Sequence, residues 1–328
     1  MNNLAQKPDW LTRYKALRSH VGLVDLGKRT QIEIAGPDRA SFLHNLCTNE
    51  IRKLAIGAGC EAFLTTVQGK TLAHVLVFAG PDALVLETVP GEAEKILAHL
   101  DHYLVCEQVT LIDRTAQWSE LLLAGPESES LLEAMAAVHV PQTRLAHAPA
   151  SLAGASVWLR RVDLTGSIGF LIGLRDEDIS NVTTALDTAG AVACPMGAFQ
   201  AARIERGFPL FGTDISDKNL PQEVARDAQA ISFVKGCYLG QETVARIDAL
   251  GHVNKTLVGL KFASSEIPAA GMELLADGQP AGHVTSATFS PRLGLPLALG
   301  YVRRSANTPG TRLSSTIGEA EVVDLPVD

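Results

Sequence analysis

The run Phe233-Val-Lys-Gly-Cys-Tyr-Leu-Gly-Gln-Glu-Thr-Val-Ala-Arg-Ile247 holds the densest group of reactive and polar side chains in the sequence. Gly236 and Gly240 predict a loop, and the residues from Gln241 onward predict a helix. Cys237 therefore falls close to a helix N-terminus, with Lys235 two residues before it. The helix dipole and a nearby ammonium both favour a thiolate over a thiol, the form that acts as nucleophile or ligand. The two glycines would let the backbone pass close to a bound molecule. Tyr238, Gln241 and Glu242 add a stacking face, an amide and a carboxylate. The plainer alternative is a buried, inert thiol beside a turn, the usual state of a free cysteine. The density of polar groups weighs against it. Cys47, Cys60, Cys106 and Cys194 keep that plainer reading: two lie among small or apolar neighbours, Cys47 ends a short helix and Cys194 precedes Pro195.

Two further segments carry candidate chemistry. In Phe199-Gln-Ala-Ala-Arg-Ile-Glu-Arg-Gly-Phe-Pro-Leu-Phe-Gly-Thr-Asp214 a helix should stop at Gly207. Arg203 and Glu205 are two residues apart and cannot share a helix face, so Arg203 is expected to reach inward while Glu205 or Arg206 is solvated. Arg160 to Phe170 predicts a hairpin turning at Thr165-Gly166. Its glycines do not have the spacing of a dinucleotide fingerprint. No Walker sequence, H-E-x-x-H or G-x-S-x-G occurs, and the histidines are scattered.

The elements that must position these groups are predominantly strands. Thr30–Ala35 alternates polar and apolar residues, Ser119–Ala124 does so less cleanly, and His74–Phe78 and Ala83–Glu87 flank a Gly-Pro-Asp turn. Helical spacing occurs over Arg39–Leu46 and Gly91–Leu104. Ile34-Ala-Gly-Pro-Asp38 is echoed by Leu123-Ala-Gly-Pro-Glu127, each followed by a helix-like run, which suggests two similar α+β units. After Gly251 the pattern changes to short strands, with a hairpin turn at Asp277-Gly278, which suggests a small barrel or sandwich.

Composition excludes several classes. With 46% hydrophobic residues the chain is too apolar to be disordered. With a net charge of −8 it has no basic block for general nucleic-acid binding. No apolar run approaches the ~18 residues of a membrane span. Met1–Trp10 lacks the apolar core of a secretory signal. An odd number of cysteines without a CxxC pair fits free thiols in a cytoplasmic protein.

Lys235-Gly-Cys-Tyr-Leu-Gly-Gln-Glu242 resembles the K-G-C-[FY]-x-G-Q-E signature of the YgfZ-type folate-binding proteins, which act in iron–sulfur cluster assembly or repair. The likeness extends to the run from Leu17 to Asp25, Thr48-Asn-Glu50, Arg203-Ile-Glu-Arg-Gly207, Gly212-Thr-Asp214, Leu220-Pro-Gln-Glu223 and Gly282-His-Val-Thr-Ser286. The wider superfamily includes the aminomethyltransferase (T-protein) of the glycine cleavage system. The resemblance implies an α+β, three-lobed, aminomethyltransferase-like (GcvT-like) fold, with two related α+β units around a central channel and a C-terminal β-barrel. The corresponding boundaries are 1–116, 117–250 (carrying the signature) and 251–328.

It further implies tetrahydrofolate as cofactor, and iron–sulfur assembly factors or client enzymes as partners. Cys237 would be the reactive thiol, supported by Lys235. Arg203 and Phe63 are assigned to the folate channel, Asp214 and Glu223 to its lining, and Tyr238, Gln241 and Glu242 to cofactor contacts. One cysteine cannot hold a cluster alone, so no resident metal is expected. Two positions depart from the aminomethyltransferase pattern: His74 stands where those enzymes have a catalytic acid, and Ser167 where they have a folate-holding glutamate. Two other functions stay open, a folate-dependent one-carbon (aminomethyl or methyl) transferase and a non-catalytic interaction module.

Overall fold

Two sheets, antiparallel except for one short parallel edge strand, and a closed barrel organise the chain in a computed structural model. It describes residues 10–136 and 140–327, so the signal-peptide reading at Met1–Asp9 lies outside the described residues. The first sheet has the strand order Gly59–Thr65, Thr71–Ala79, Ala83–Thr88, Thr30–Ala35, Thr110–Asp113. The period-2 pattern of Thr30–Ala35 puts Ile32 and Ile34 inward, where they meet Phe42 and Leu43 of the helix Arg39–Leu46 and Ile96 and Leu100 of the helix Ala93–His102. Full burial of each such side chain stabilises the unit by about 1.5–3 kcal/mol.

The second sheet runs Val192–Ala193, Gly22–Gly27, Trp118–Ala124, Gly169–Arg175, Ala155–Val162, His147–Leu152. Its strand Gly22–Gly27 comes from far upstream of residue 117, pairing with Trp118–Ala124 on one side and with Val192–Ala193 on the other. The N-terminal strand thus completes the second unit, a long-range pairing that local sequence pattern does not encode. Helices Ser128–Ala136 and Ile179–Thr188 cover this sheet through Leu132, Val182 and Leu186.

The two Gly-Pro-acid motifs occupy matching corners. Gly36 and Gly125 both have positive φ, 108° and 137°. A Cβ at Gly36 would lie 2.1 Å from the Gln108 carbonyl oxygen, and one at Gly125 would lie 2.1 Å from that of His20. Each corner therefore needs glycine twice over, for its dihedral and for the close backbone approach. Between the sheets, Arg29 and Glu87 meet Glu120, Arg160 and Gln31 in a buried ionic cluster. Burial, reinforced by the Glu87 charge, pushes the Glu120 carboxyl up to about 7.

The barrel closes in the order Lys255–Phe262, Leu295–Arg303, Gln279–Ser290, Glu273–Ala276, Arg312–Ser315, Gly318–Val323. Its hairpin at Asp277-Gly278 has positive φ at both residues, the geometry that matches strand twist. Among the described residues no helix is long and apolar enough to cross a membrane.

Candidate functional site

The loop bearing Cys237 follows the strands of the second sheet in sequence but docks on the first unit. Ser232 N donates to the Thr48 carbonyl at 2.9 Å, Leu239 N to the Asn45 carbonyl at 2.8 Å, and Thr65 Oγ1 to the Leu239 carbonyl at 2.6 Å. Gly240, at φ 80°, lies so close to the Thr66–Gly69 turn that a Cβ would sit 2.5 Å from the Thr66 carbonyl oxygen. A Cβ at Gly236 would meet open space. The sequence expectation that both glycines admit a ligand is corrected accordingly: Gly240 admits another backbone. The helix Gln241–Leu250 follows directly.

Lys235 is positioned differently from what its spacing suggests. Its Nζ donates to the carbonyls of His44, Cys47 and Asn49 at 2.6, 2.8 and 2.8 Å, and sits 4.8 Å from the centre of the Tyr238 ring. Burial holds this ammonium below the usual lysine range. Those carbonyls lie at and just beyond the end of the helix Arg39–Leu46, where unsatisfied acceptors gather and a cation is favoured. Lys235 fastens the loop to the first unit and makes no hydrogen bond or ion pair with Cys237.

Cys237 is exposed and lines a cavity of about 580 Å³. The walls come from the loop itself and from the first unit, through Phe42, Asn45, Leu46, Val67, Tyr103 and Glu107. Tyr238, Gln241 and Glu242 line the same cavity, so four of the sequence candidates come together. The volume suits a drug-sized ligand. Its lining carries two carboxylates, Glu107 and Glu242, and no lysine or arginine. Tyr103 and Glu107 escaped sequence reasoning because they reach the site only through the packing of the helix Ala93–His102.

The five cysteines are free and differ sharply in access. Cys47 is buried and its thiol is pushed up by burial; burial acts likewise on Cys60, and on Cys194, which is pushed up to about 11. Cys106 is exposed, a correction to its reading as an inert packed thiol. Brief alkylation of the folded protein with iodoacetamide is therefore expected to modify Cys237 and Cys106 and to spare Cys47, Cys60 and Cys194 until denaturant is added. Peptide mass spectrometry checks this; modification of Cys47 as fast as Cys237 would contradict it.

The other candidates lie in the interior. Arg203 is 1% exposed and donates to Gln200 Oε1, the Phe208 carbonyl and Asp214 Oδ2. Asp214 Oδ1 in turn accepts the hydroxyls of Thr285 and Ser286, both at 2.6 Å. The pair fastens the helix Met196–Arg206 to the barrel and lies outside the lining of the Cys237 cavity. Glu205, expected in solvent if Arg203 pointed inward, is buried as well; its carboxylate accepts Tyr14 Oη, Ser290 Oγ and Arg292 N. Opposite faces of this helix are both covered, one by Asp214 and the barrel, the other by the helix Leu11–Ser19 and the barrel. Glu223 caps its own turn at Leu220 N and Asn219, with Lys255 3.7 Å away.

Phe63 is fully buried and stacks on His74 at a ring distance of 5.0 Å. Next to that stack lies Glu61, which sequence reasoning missed. Its Oε1 meets His74 Nε2 at 2.8 Å and Arg226 Nε at 2.6 Å, and its Oε2 accepts from Arg226 and Arg144. Burial alone would raise this carboxyl, but His74 and Arg226 outweigh it and hold it well below the usual carboxylate range. The free space beside His74 and Phe208 amounts to about 20 Å³. The one available signal was a lone acid within the otherwise small and apolar run Gly59-Cys-Glu-Ala-Phe-Leu64. Among the described residues no three His, Cys, Asp or Glu side chains gather as a metal site requires.

An α+β region joined to a closed barrel, with a thiol loop clamped on the first sheet, defines a class, and comparison with known proteins identifies it. Residues 6–230 match the GCVT N-terminal domain and residues 255–328 the glycine cleavage T-protein C-terminal barrel domain. The chain belongs to the glycine cleavage T-protein family. It is 30% identical over 315 residues to an aminomethyltransferase of Herpetosiphon aurantiacus, covering 95% of this chain and 87% of that one. It is 29% identical over 296 residues to an aminomethyltransferase of Thermus thermophilus, covering 90% and 83%. The crystal structure of the glycine cleavage system aminomethyltransferase T from Bartonella henselae superposes with a TM-score of 0.87 at 22% identity, over 97% of this chain and 89% of that one, a likeness of fold.

Proposed function

We propose that this member of the T-protein family binds tetrahydrofolate and acts through Cys237 in the assembly or repair of iron–sulfur enzymes. The observation that carries the proposal is the exposed Cys237 thiol in the wall of a 580 Å³ cavity built by its own signature loop. The cavity's chemistry suits a pterin ring. A pterin presents adjacent N–H donors, which a carboxylate such as Glu242 accepts, while Gln241 offers both a donor and an acceptor. The acidic lining disfavours the carboxylate tail of a folate, which would extend toward solvent. Iron–sulfur clusters are the cargo in this reading. Cys237 supplies a single thiolate, and the remaining ligands come from the client or assembly partner.

Folate-dependent aminomethyl transfer is the second reading, and the names of the relatives favour it over the first. Position 74 argues the other way. The imidazole of His74 is 6% exposed and tied to Glu61, and Glu61 is held as an ion-paired carboxylate, so neither is placed as a free general acid or base.

Titration of the full chain with tetrahydrofolate under anaerobic conditions tests the shared element. Saturable binding below about 1 mM is expected, weakened about tenfold in Glu242→Ala by loss of charge-assisted hydrogen bonds. No saturable signal at that concentration would reject folate in both readings. A turnover assay with the aminomethyl-loaded glycine-cleavage carrier protein then separates them: no turnover supports the iron–sulfur role, and sustained turnover establishes the transferase.

A further inference from the structure

The helix Ala93–His102 carries Glu94, Leu97, Ala98 and Asp101 at the i, i+3, i+4, i+7 spacing that sets side chains on one face. That face and the edge of the first sheet, through Leu111 and Asp113, form an open groove of about 570 Å³. Leu97 and Leu111 are half-buried at its base, packed against the core of the unit. Glu94, Asp101 and Asp113 rim it, and no lysine or arginine lines it. The carboxylates of Glu94 and Asp101 make no hydrogen bond or ion pair among the described residues, and that of Asp113 accepts only Thr115 N, at 2.8 Å. Lys95, the lysine of the same helix, is turned to Glu92 and to the face of the Phe211 ring.

The strand at this edge, Thr110–Asp113, pairs with Thr30–Ala35 on one side and, among the described residues, with no strand on the other. Arg114 N donates to the Gln31 carbonyl at 2.8 Å. In an antiparallel ladder paired and unpaired residues alternate, so Ile112 and Thr110 face Thr30–Ala35 as well. The N–H and C=O groups of Leu111 and Asp113 therefore point out along the free edge, while their side chains line the groove. Open backbone donors and acceptors, an apolar base and three carboxylates without a counter-charge thus share one place.

We propose that this edge accepts an extended segment of a partner protein as an added strand, one that turns lysine or arginine and apolar side chains alternately into the groove. Main-chain hydrogen bonds to Leu111 and Asp113 would supply the pairing, and the groove would select the side chains. A second copy of this chain is disfavoured as the occupant, because two such edges would set their carboxylates against each other and the net charge of −8 adds repulsion. The strand begins three residues after Glu107 of the Cys237 cavity, a reach of no more than ~11 Å. Val105, 87% exposed, extends apolar surface from one to the other. A partner seated on this edge therefore comes to the rim of that cavity. The inference does not depend on the assignment of folate or of Cys237.

Fluorescence anisotropy of the full chain with a labelled Lys-Thr-Val-Thr-Lys-Thr-Val peptide, at fixed ionic strength, tests it. Saturable one-to-one binding below about 1 mM is expected, with slowed hydrogen exchange at the Leu111 and Asp113 amides. Exchange of both lysines of the peptide for glutamate should weaken binding at least tenfold. So should N-methylation at the central valine and threonine, which removes pairing donors and keeps the side chains. Glu94→Gln/Asp101→Asn should weaken it about tenfold, whereas Glu133→Gln/Asp187→Asn, which removes two exposed acids from the helices over the second sheet, should leave it unchanged. Asp101→Asn alone keeps the test valid if the first double variant is unstable, because the Asp101 carboxylate bonds to nothing among the described residues. Absence of saturable binding, or binding that charge reversal and the groove variants do not weaken, would overturn the proposal. Binding that survives N-methylation would overturn the added strand, and dimerisation of the chain through this edge in sedimentation would overturn the choice of occupant.

Discussion

Replacing Glu61 by Ala is expected to destabilise the folded chain by about 3–5 kcal/mol, as removal of one partner from a buried ionic group does. Glu61 is fully buried and serves Arg226, Arg144 and His74 at once. Arg226 is 6% exposed and, among the described residues, makes both its side-chain hydrogen bonds to this carboxylate, so deletion leaves a guanidinium in the interior with no counter-charge. Glu61→Gln keeps the shape and half of the acceptors and should fall between wild type and Glu61→Ala. The sign with pH follows from the lowered carboxyl. Its stabilisation is fully present above the unfolded value of about 4.5 and is lost as pH falls below it. The gap between wild type and variant in urea should therefore be widest near neutral pH and shrink on acidification. A shift no larger than about 0.5 kcal/mol, the size of a surface substitution, would show that the cluster does not hold the fold.

The elements of this fold were legible where local pattern specifies them. Alternation at Thr30–Ala35, the Gly-Pro-Asp turn before Ala83, the helix stop at Gly207 and the Asp277-Gly278 hairpin all recur in the structure because each is fixed by residues within a few positions. The resemblance carried the three-part architecture and the barrel. Long-range pairing was not legible. Gly22–Gly27 completes the second sheet by partners at 118–124 and 192–193, which no local window contains. The same limit governs the site. The cavity candidates Cys237, Tyr238, Gln241 and Glu242 lie within one short loop and helix start and stayed together. Arg203 and Asp214 found one another and the barrel, and Lys235 found three carbonyls contributed by residues about 190 positions upstream. Side-chain type predicted that these groups would have partners, and only the packing decided which.

Substituting Cys237 is expected to have the largest effect on function. Cys237 is exposed, so exchange to Ala removes little packing and should leave the unfolding free energy measured in urea within about 0.5 kcal/mol of wild type. Loss of function in such a variant reports lost chemistry, because the loop remains fastened by Lys235, Leu239 and Gly240. Cys106, the other exposed thiol, is the matched control.

The most direct measurement is the activity of iron–sulfur enzymes in a strain deleted for this protein and supplied with wild type, Cys106→Ala or Cys237→Ala at equal abundance. Wild type and Cys106→Ala should restore that activity, and Cys237→Ala should leave it at the level of the empty vector. Full restoration by Cys237→Ala would contradict the assignment of this thiol as the reactive group and leave the loop as a structural clamp.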